Sequence, residues 1–194
     1  MRWTWSFLLG ALLLTGCAKP ITWVRVADGA NAAGTLDLQA GPTWSRQTGG
    51  ADSPNHELWT SEGVPLDQLH FYTGVGPGQP LALALGRTGK QVPTFREGLQ
   101  PHEVVELYES VVTMDGSVFQ REKLAPAPFA GENGFRFEFT LIRRSDDLTL
   151  KGTGFGAVRA GKLYLVVYLA PRMHYFPKHI GEVEAIVQSA RIRT

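Results

Sequence analysis

Hydrophobic and polar residues alternate most clearly in the second half of the chain. From Phe135 to Leu141 every second residue is phenylalanine or leucine, and Arg136 and Glu138 lie between them. Such alternation is typical of a β-strand with one buried face. The later segment KLYLVVYLA is hydrophobic at both sets of alternate positions, which is typical of a central strand covered on both faces. With the segment LTLKGTGFGAVRA between them, these strands predict a three-stranded antiparallel meander.

Two segments place hydrophobic residues at the spacing of an α-helix. The first opens at Pro101 and has Val104, Leu107, Tyr108, Val111 and Val112 in register, and the second, after PRMHYFPKH, has Ile180, Val183, Ile186 and Val187. Spacings of three and four residues put each set on one face of a helix. We therefore predict an α+β fold in which an antiparallel β-sheet is sandwiched by the two helices.

The remaining segments predict short strands separated by glycine- and proline-rich turns. TWVRV, TLDLQ, TWSRQ, HELWTSEG, QLHFYTGV and SVFQREKL each predict a strand. We expect TLDLQ and TWSRQ to form a hairpin around Ala40–Pro42, and the stretches ADGANAAG and APAPFAGENG to be connections. Within QLHFYTGV, alternation places His70 and Tyr72 on one face of the strand and Leu69 and Phe71 on the other.

The amino terminus has the pattern of an export signal. Arg2 precedes the apolar run Phe7–Leu14, which is about 12 Å long as a helix and therefore too short for the ~30 Å core of a bilayer. The run ends in Leu14, Thr15, Gly16 and Cys17, which resembles the lipobox of bacterial lipoproteins. The resemblance implies a diacylglycerol thioether on Cys17 and cleavage between Gly16 and Cys17. The alternative is a free, buried thiol at the end of a hydrophobic helix.

This pattern predicts three parts of the chain: a lipoprotein signal peptide at 1–16, the lipidated cysteine and a tether at 17–30, and a single α+β domain at 31–194. The expected location is a membrane-anchored lipoprotein facing the periplasm. Ala18 favours the outer membrane, although the choice between inner and outer membrane stays open. Cys17 is the only cysteine, so a packed core rather than a disulfide must stabilise the mature protein.

Charge narrows the class of partner. The chain has 19 Lys+Arg and 18 Asp+Glu, a formal net charge of +1, and such a balance argues against nucleic acid and against a purely electrostatic attachment to anionic lipid. The expected partners are the membrane, through the N-terminal lipid, and an unidentified envelope protein.

Several segments of the mature chain resemble known folds. The strand GFRFEF, the strand end YLAP and the final segment QSARI resemble the PsbP/Mog1-type α/β fold, and ELWT, FYTG and APRMHYFP resemble an uncharacterised family of bacterial lipoproteins. The resemblance implies a fold and an anchor but no activity, because these motifs are structural. Proteins of that fold include non-enzymatic subunits and partner-binding factors.

Motifs that carry catalytic chemistry are missing from the sequence. GTGFGA lies in a strand and is explained by packing glycines, while GRTGKQ lacks the first glycine and the Ser/Thr of a phosphate loop. His56, His70 and His102 have no metal-ligand spacing between them, and no G-x-S-x-G nucleophile elbow occurs. We therefore predict a protein with no catalytic residues, no metal and no cofactor.

The segment APRMHYFPKH combines aromatic and cationic residues between the last strand and the last helix. Arg172, His174 and Tyr175 are candidate partner-binding residues, because aromatic and arginine side chains are enriched at interface centres. The alternative, which we favour, is that the aromatics anchor the start of the helix to the sheet.

These observations predict a lipid-anchored envelope protein that acts as a non-catalytic binding or accessory component. The first alternative is a carrier of a small molecule or lipid with a cavity between sheet and helix, near Phe135, Phe137, Phe139 and Tyr168. The second alternative is a hydrolase whose catalytic residues are dispersed along the sequence.

Overall fold

The computed structural model describes residues 20–49, 55–81 and 92–193. The lipobox residues Leu14, Thr15, Gly16 and Cys17 lie outside these ranges, so the signal peptide and the lipidation site stay predictions. Neither helix in the described ranges combines the length and apolar character needed to cross a bilayer.

Most of the described chain is antiparallel sheet. The strands are β1 Thr22–Arg25, β2 Gly29–Ala33, β3 Leu36–Ala40, β4 Ser45–Thr48, β5 His56–Thr60, β6 Gln68–Val75, β7 Val118–Phe129, β8 Glu132–Arg143, β9 Leu148–Arg159, β10 Lys162–Pro171 and β11 Arg191–Ile192, and the helices are α1 Pro101–Val112 and α2 Tyr175–Ser189. Eight strands form one sheet in the order β1-β4-β5-β6-β10-β9-β8-β7, and three form a second in the order β11-β3-β2.

The predicted meander is confirmed as the consecutive strands β8, β9 and β10 at one side of the large sheet. A two-residue turn, Ala160–Gly161, joins β9 to β10, and both of its residues have positive φ, as the tightest hairpin turns require. Strand β10 is buried on both faces, as predicted, because it lies between β6 and β9 and carries packed layers on either side.

The alternating side chains of β10 separate two hydrophobic cores. Val166, Tyr168 and Ala170 belong to the core beneath α2, whereas Leu165 and Val167 belong to the core beneath α1. The helices therefore pack on opposite faces of the large sheet. The layer on the α2 side also contains the three-stranded sheet, which was not predicted.

Phenylalanines on β8 and glycines on β9 fill the middle of the α1 side. Phe137 is paired across the strands with Gly154, and a Cβ atom at Gly154 would lie 2.1 Å from Cε1 of that ring. The same relation holds for Phe135 with Gly156 and for Phe139 with Gly152. The interpretation of GTGFGA as packing glycines is thus confirmed.

The prediction for the N-terminal third is wrong in two places. The stretch ADGANAAG, expected to be a loop, contains β2, which pairs with β3 through backbone hydrogen bonds that small residues can make as well as large ones. The expected hairpin of TLDLQ and TWSRQ does not form, since β3 belongs to the small sheet and β4 to the large one. The chain crosses between the two layers through Gly41–Pro42 and places Trp44 in the core under α2.

Three boundaries also differ from prediction. Strand β7 continues through Pro126 and Pro128 to Phe129, because it is an edge strand and a proline there costs no sheet hydrogen bond. Helix α2 begins at Tyr175, before the predicted start. In the segment 17–30, predicted to hold the lipidated Cys17 and a tether, Thr22–Arg25 forms β1, as TWVRV predicted, and β2 begins at Gly29.

Candidate functional site

A pocket of about 260 Å³ opens between the large sheet and the C-terminal half of α1. It is called the histidine pocket below. Its floor is made by residues of β5, β6, β8, β9 and β10, and its wall by α1 and the turn that follows. The lining residues are His56, Gln68, His70, Tyr72, Tyr108, Val111, Val112, Asp115, Ser117, Leu141, Arg143, Leu150 and Leu169.

Strand register brings the two histidines of the pocket together. In the antiparallel pair β5–β6, His56 lies opposite Tyr72, and His70 lies opposite Leu58. Since side chains two positions apart share a face of a strand, His56 and His70 become diagonal neighbours on the α1 face. Their ring centroids are 5.2 Å apart, and the ring planes are inclined by 25°.

A chain of hydrogen bonds runs through the pocket from a backbone carbonyl to His56. Nε2 of Gln68 donates to the carbonyl oxygen of Val64 at 2.8 Å. Oε1 of Gln68 lies 2.9 Å from Nε2 of His70, and Nδ1 of His70 lies 2.9 Å from Nε2 of His56. All three bonds have normal lengths for nitrogen donors.

The direction of this chain follows from its fixed end. The Val64 carbonyl can only accept, so the amide nitrogen of Gln68 faces it and the amide oxygen is left to accept from His70. His70 therefore carries its proton on Nε2 and accepts on Nδ1, and the bond from His56 must be donated by Nε2–H. The lone pair on Nδ1 of His56 is then left as a hydrogen-bond acceptor.

Both imidazoles are held neutral. Burial lowers the pKa of His56 to about 4, and burial together with the neighbouring His56 lowers the pKa of His70 to about 3. A proton added to Nδ1 of His70 would also face the donor N–H of His56, which breaks the chain. The two histidines thus offer hydrogen bonds to a ligand without carrying a charge at neutral pH.

Two tyrosines form the aromatic wall of the pocket. The ring of Tyr72 lies 4.9 Å from that of His56 and 6.4 Å from that of Tyr108. Burial raises the pKa of both phenols, so both stay protonated. Within the described part of the chain, neither hydroxyl hydrogen-bonds to another residue, and both tyrosines line the pocket.

Polar groups at the rim are already engaged with one another. Arg143 forms a two-point ion pair with Asp146, at 2.9 Å and 2.6 Å. The hydroxyl of Ser117 accepts a hydrogen bond from the backbone N–H of Arg144 at 3.1 Å, and the carboxylate of Asp115 accepts one from the backbone N–H of Ser117. Within the lining, Ser117 is therefore not hydrogen-bonded to a histidine base, the arrangement that activates a serine nucleophile.

The site has the features of a binding pocket for a small uncharged molecule. Leucine and valine side chains supply apolar walls, and His56, Tyr72 and Tyr108 supply convergent polar groups. Within residues 20–49, 55–81 and 92–193, no group of three or more His, Cys, Asp or Glu side chains is placed to hold a metal ion.

A separate polar cluster lies at the start of α2 and has a structural role. Buried Asp67 accepts hydrogen bonds from the hydroxyl of Thr60 and from the backbone N–H groups of Ser61 and Glu62. The Glu62 carboxylate in turn contacts Lys178 and His179 of α2. These contacts fix the β5–β6 loop against the helix.

The structure divides the predicted partner-binding segment into two parts. Tyr175 is half-buried, and its carbonyl accepts a hydrogen bond from the Tyr168 hydroxyl at 3.1 Å, which agrees with the anchoring role favoured from the sequence. Arg172 and His174 are exposed, and Met173 between them is 88% exposed. Binding of a partner at Arg172, His174 and Tyr175 stays a prediction.

The cavity expected for a carrier lies elsewhere. Phe135, Phe137 and Phe139 are buried in the core and are not among the residues that line the histidine pocket, while Tyr168 faces the opposite side of the sheet. A cavity between sheet and helix is nevertheless present beside His56 and His70. The sequence shows no metal-ligand spacing between these two residues and does not predict their contact.

Comparison with solved structures identifies the fold. The solution structure of cyanobacterial PsbP (CyanoP) from Synechocystis sp. PCC 6803 superimposes with a TM-score of 0.56 at 12% identity, covering 95% of this chain and 98% of that one. The chain therefore has a PsbP-like fold, as the strand motifs predicted. At 12% identity this similarity shows the fold alone.

Two other solved structures are more distant. A crystal structure from Bacteroides thetaiotaomicron VPI-5482 has a TM-score of 0.48 at 8% identity and covers 86% of this chain and 49% of that one. LpqN, which is involved in cell envelope biogenesis of Mycobacterium tuberculosis, has a TM-score of 0.41 at 12% identity and covers 90% of this chain and 92% of that one. No protein-family model and no curated protein matches the sequence.

Proposed function

We propose that this chain is a lipid-anchored protein of the bacterial cell envelope that acts by binding rather than by catalysis, and that the histidine pocket is its ligand site. The observation that carries the proposal is the one-way hydrogen-bond chain from Val64 to His56 inside an apolar-walled pocket. His56, Gln68 and His70 are half-buried, and polar groups that a ligand shields from water cost free energy unless each is hydrogen-bonded. A ligand donor on Nδ1 of His56 completes it.

The pocket defines the chemical class of the ligand. Its volume of about 260 Å³ lies just below the roughly 300–1,000 Å³ of sites for drug-sized molecules. Neutral imidazoles and protonated phenols disfavour a charged ligand in the interior of the pocket, because Arg143 is already paired with Asp146 and Asp115 is an exposed residue of the rim. The ligand is therefore a small, uncharged molecule with an apolar body and one hydrogen-bond donor.

Ligand binding is tested with three related probes: 1-naphthol, naphthalene and 1-naphthoate. The hydroxyl of 1-naphthol can donate to His56, so we expect 1-naphthol to bind about five- to tenfold more tightly than naphthalene, which corresponds to about 1 kcal/mol for one hydrogen bond. The anion 1-naphthoate should bind most weakly. Nuclear magnetic resonance titration of the pocket residues measures the three affinities.

A pair of substitutions controls for unspecific binding. Val112→Phe places extra volume in the pocket and should abolish 1-naphthol binding, whereas Val118→Phe changes an exposed residue outside the lining and should leave it intact. Equal affinity of all three probes, or equal binding by the two variants, would contradict the assignment of the pocket.

The anchor is proposed from the sequence pattern at Leu14, Thr15, Gly16 and Cys17. Several acyl chains at about 0.8 kcal/mol per buried CH₂ make membrane attachment stable, whereas a single chain is marginal. We expect mass spectrometry of the protein from its native membrane to find an acylated Cys17 at the amino terminus. Replacing Cys17 with alanine should release the domain from the membrane fraction. Ala18 favours delivery to the outer membrane.

Binding of an envelope protein at Arg172, His174 and Tyr175 is the second proposed activity. The exposure of Arg172, Met173 and His174 at the start of α2 supports it, and so does the usual enrichment of arginine and aromatic residues at interfaces. This surface is separate from the ligand lining, so each proposal can fail without the other.

A further inference from the structure

Three of the exposed large hydrophobic residues lie next to one another at the start of the fold. Ile21 is 59% exposed, Trp23 is 41% exposed and Val24 is 45% exposed. They belong to β1 or directly precede it, and all four residues of β1 are exposed. Adjacent exposed apolar side chains on a soluble domain mark a surface that is covered by something else.

Strand β1 is also the outermost strand of the large sheet. It pairs with β4 on one side, and within the described residues its other side has no strand partner. Strand β1 is short, with four residues, and Arg25 gives it a charge, and both features limit unwanted pairing along this edge. The exposed apolar side chains of β1 are therefore what remains to be covered.

The chain length before β1 favours one covering surface. Ile21 follows Cys17 by four residues, which span at most about 14 Å when fully extended. If Cys17 carries the proposed lipid, β1 cannot leave the neighbourhood of the bilayer surface. The headgroup region there is several ångströms thick, and tryptophan is enriched in it because its ring is apolar and its N–H is polar.

Charge around β1 is compatible with that location. Arg25 is in β1, and Arg46 lies directly opposite Val24 on β4. No acidic residue occurs from Ala18 to Ala27 or from Gly41 to Gly49. Strands β1 and β4 therefore carry no carboxylate that would repel the phosphates of lipids, although their cations, Arg25 and Arg46, are too few to hold the protein to the membrane by themselves.

From these observations we infer that β1 lies in the headgroup region of the bilayer, with Ile21, Trp23 and Val24 inserted beside the lipid of Cys17. This inference rests on the proposed anchor and adds an orientation to it. A short tether together with an inserted strand holds the large sheet with its β1 edge toward the membrane and its β7 edge away from it.

The chain itself offers a selective probe of this contact. Trp3 and Trp5 precede the proposed cleavage site, while Trp44 and Trp59 are fully buried. Trp23 is thus the one tryptophan of the proposed mature chain that can meet lipid. In addition, Cys17 is the only thiol, so a maleimide lipid can be coupled there alone.

The experiment uses mature protein that is produced without its signal peptide and coupled through Cys17 to a maleimide lipid. The vesicles contain phosphatidylcholine and phosphatidylglycerol, and their acyl chains are brominated so that they quench tryptophan fluorescence. We expect quenching of tryptophan emission and a blue shift, and we expect Trp23→Phe to lose both. The matched control is the double variant Cys17→Ser, Gln120→Cys, which moves the thiol to β7 at the opposite edge of the large sheet. Coupling of this variant to the same lipid should give no quenching.

Absence of quenching in the Cys17-coupled protein, or equal quenching from both coupling positions, would overturn the inference. It would also be overturned if light scattering found a dimer of the uncoupled protein that Trp23→Ser abolishes, because β1 would then be covered by a second copy of the chain. Native acylation of Cys17 is measured separately by mass spectrometry, so failure of the anchor and failure of the orientation are distinguished.

Discussion

The two ends of the α1 side of the sheet are built in opposite ways. At one end, Phe135, Phe137 and Phe139 lie over glycines of β9 and belong to the buried core beneath α1. At the other end, β6 presents His70 and Tyr72 to the helix, and a pocket remains. Close packing makes the first end a source of stability, whereas unfilled space lined by polar groups makes the second end available to a ligand.

The difference has its origin in residue choice on two pairs of strands, β8 and β9 at the packed end and β5 and β6 at the pocket end. Large aromatic rings interlock with glycine because the missing Cβ leaves room for the ring, which gives crystal-like packing. Histidine and tyrosine cannot fill the same space, because their polar atoms need partners, and here the partners lie along the strand surface rather than in the helix. The fold thus separates a packed end from a binding end within one layer.

The largest expected effect comes from a matched pair of leucine truncations. Leu165→Ala acts in the packed end and should destabilise the protein by about 3–5 kcal/mol, because it adds a cavity to the loss of apolar burial. Leu150→Ala acts in the pocket wall, where part of the surroundings is already empty, and should cost about 2 kcal/mol. Urea unfolding of both variants measures the difference, and equal losses would contradict the contrast between the two ends.

The next effect is a loss of stability as the pH falls. Because the folded state lowers the pKa of His56 from 6.5 to about 4, the unfolded state binds more protons between these values. The stability that depends on neutral His56 is fully present above pH 6.5 and is lost as the pH drops toward 4. The resulting decrease in the free energy of unfolding is about 3 kcal/mol for this group.

His70, with its pKa lowered to about 3, extends the same loss to lower pH. Carboxylates elsewhere titrate in this range as well, so the comparison is made with His56→Gln, which should flatten the profile of unfolding free energy between pH 6.5 and 4. The control His102→Gln replaces an exposed residue of α1 and should leave the profile unchanged. Identical profiles of wild type and His56→Gln would show that the pocket is not a source of pH dependence.

The smallest expected effect on stability belongs to the exposed segment before α2. Replacing Arg172 and His174 together by alanine should change the free energy of unfolding by less than about 0.5 kcal/mol, as is usual at exposed positions. If these residues bind an envelope protein, the same variant should lose that protein in crosslinking from intact cells. A large loss of stability would instead assign them to the anchoring of α2.

The fold could be predicted from the sequence where periodicity is strong. The alternation from Phe135 to Leu141 and the helical spacing in α1 come directly from burial on one face, and both elements were located correctly. The N-terminal third resisted prediction because the pairing of β3 with β2 and β11 joins residues far apart in the chain. Local composition does not report which sheet a short strand joins.

The pocket could not be predicted from the sequence for a related reason. The alternation in β6 already placed His70 and Tyr72 on one face, but the position of His56 beside them depends on the register of β5 against β6. Metal-ligand spacing was the wrong criterion, because these histidines meet across strands and bind each other. A histidine at the start of one predicted strand and another in the next strand is the signal that could have suggested their contact.

The central claim is that both histidines of the pocket are neutral and that their hydrogen bonds run in one direction, from His56 through His70 to Gln68. Long-range ¹⁵N–¹H correlation of the imidazole nitrogens tests this claim most directly. We expect both His56 and His70 to carry their proton on Nε2 at neutral pH, to show a hydrogen-bonded Nδ1 on His70, and to remain neutral down to about pH 5. A proton on Nδ1 of either ring at neutral pH, or titration of His56 near its ordinary pKa of 6.5, would contradict the account.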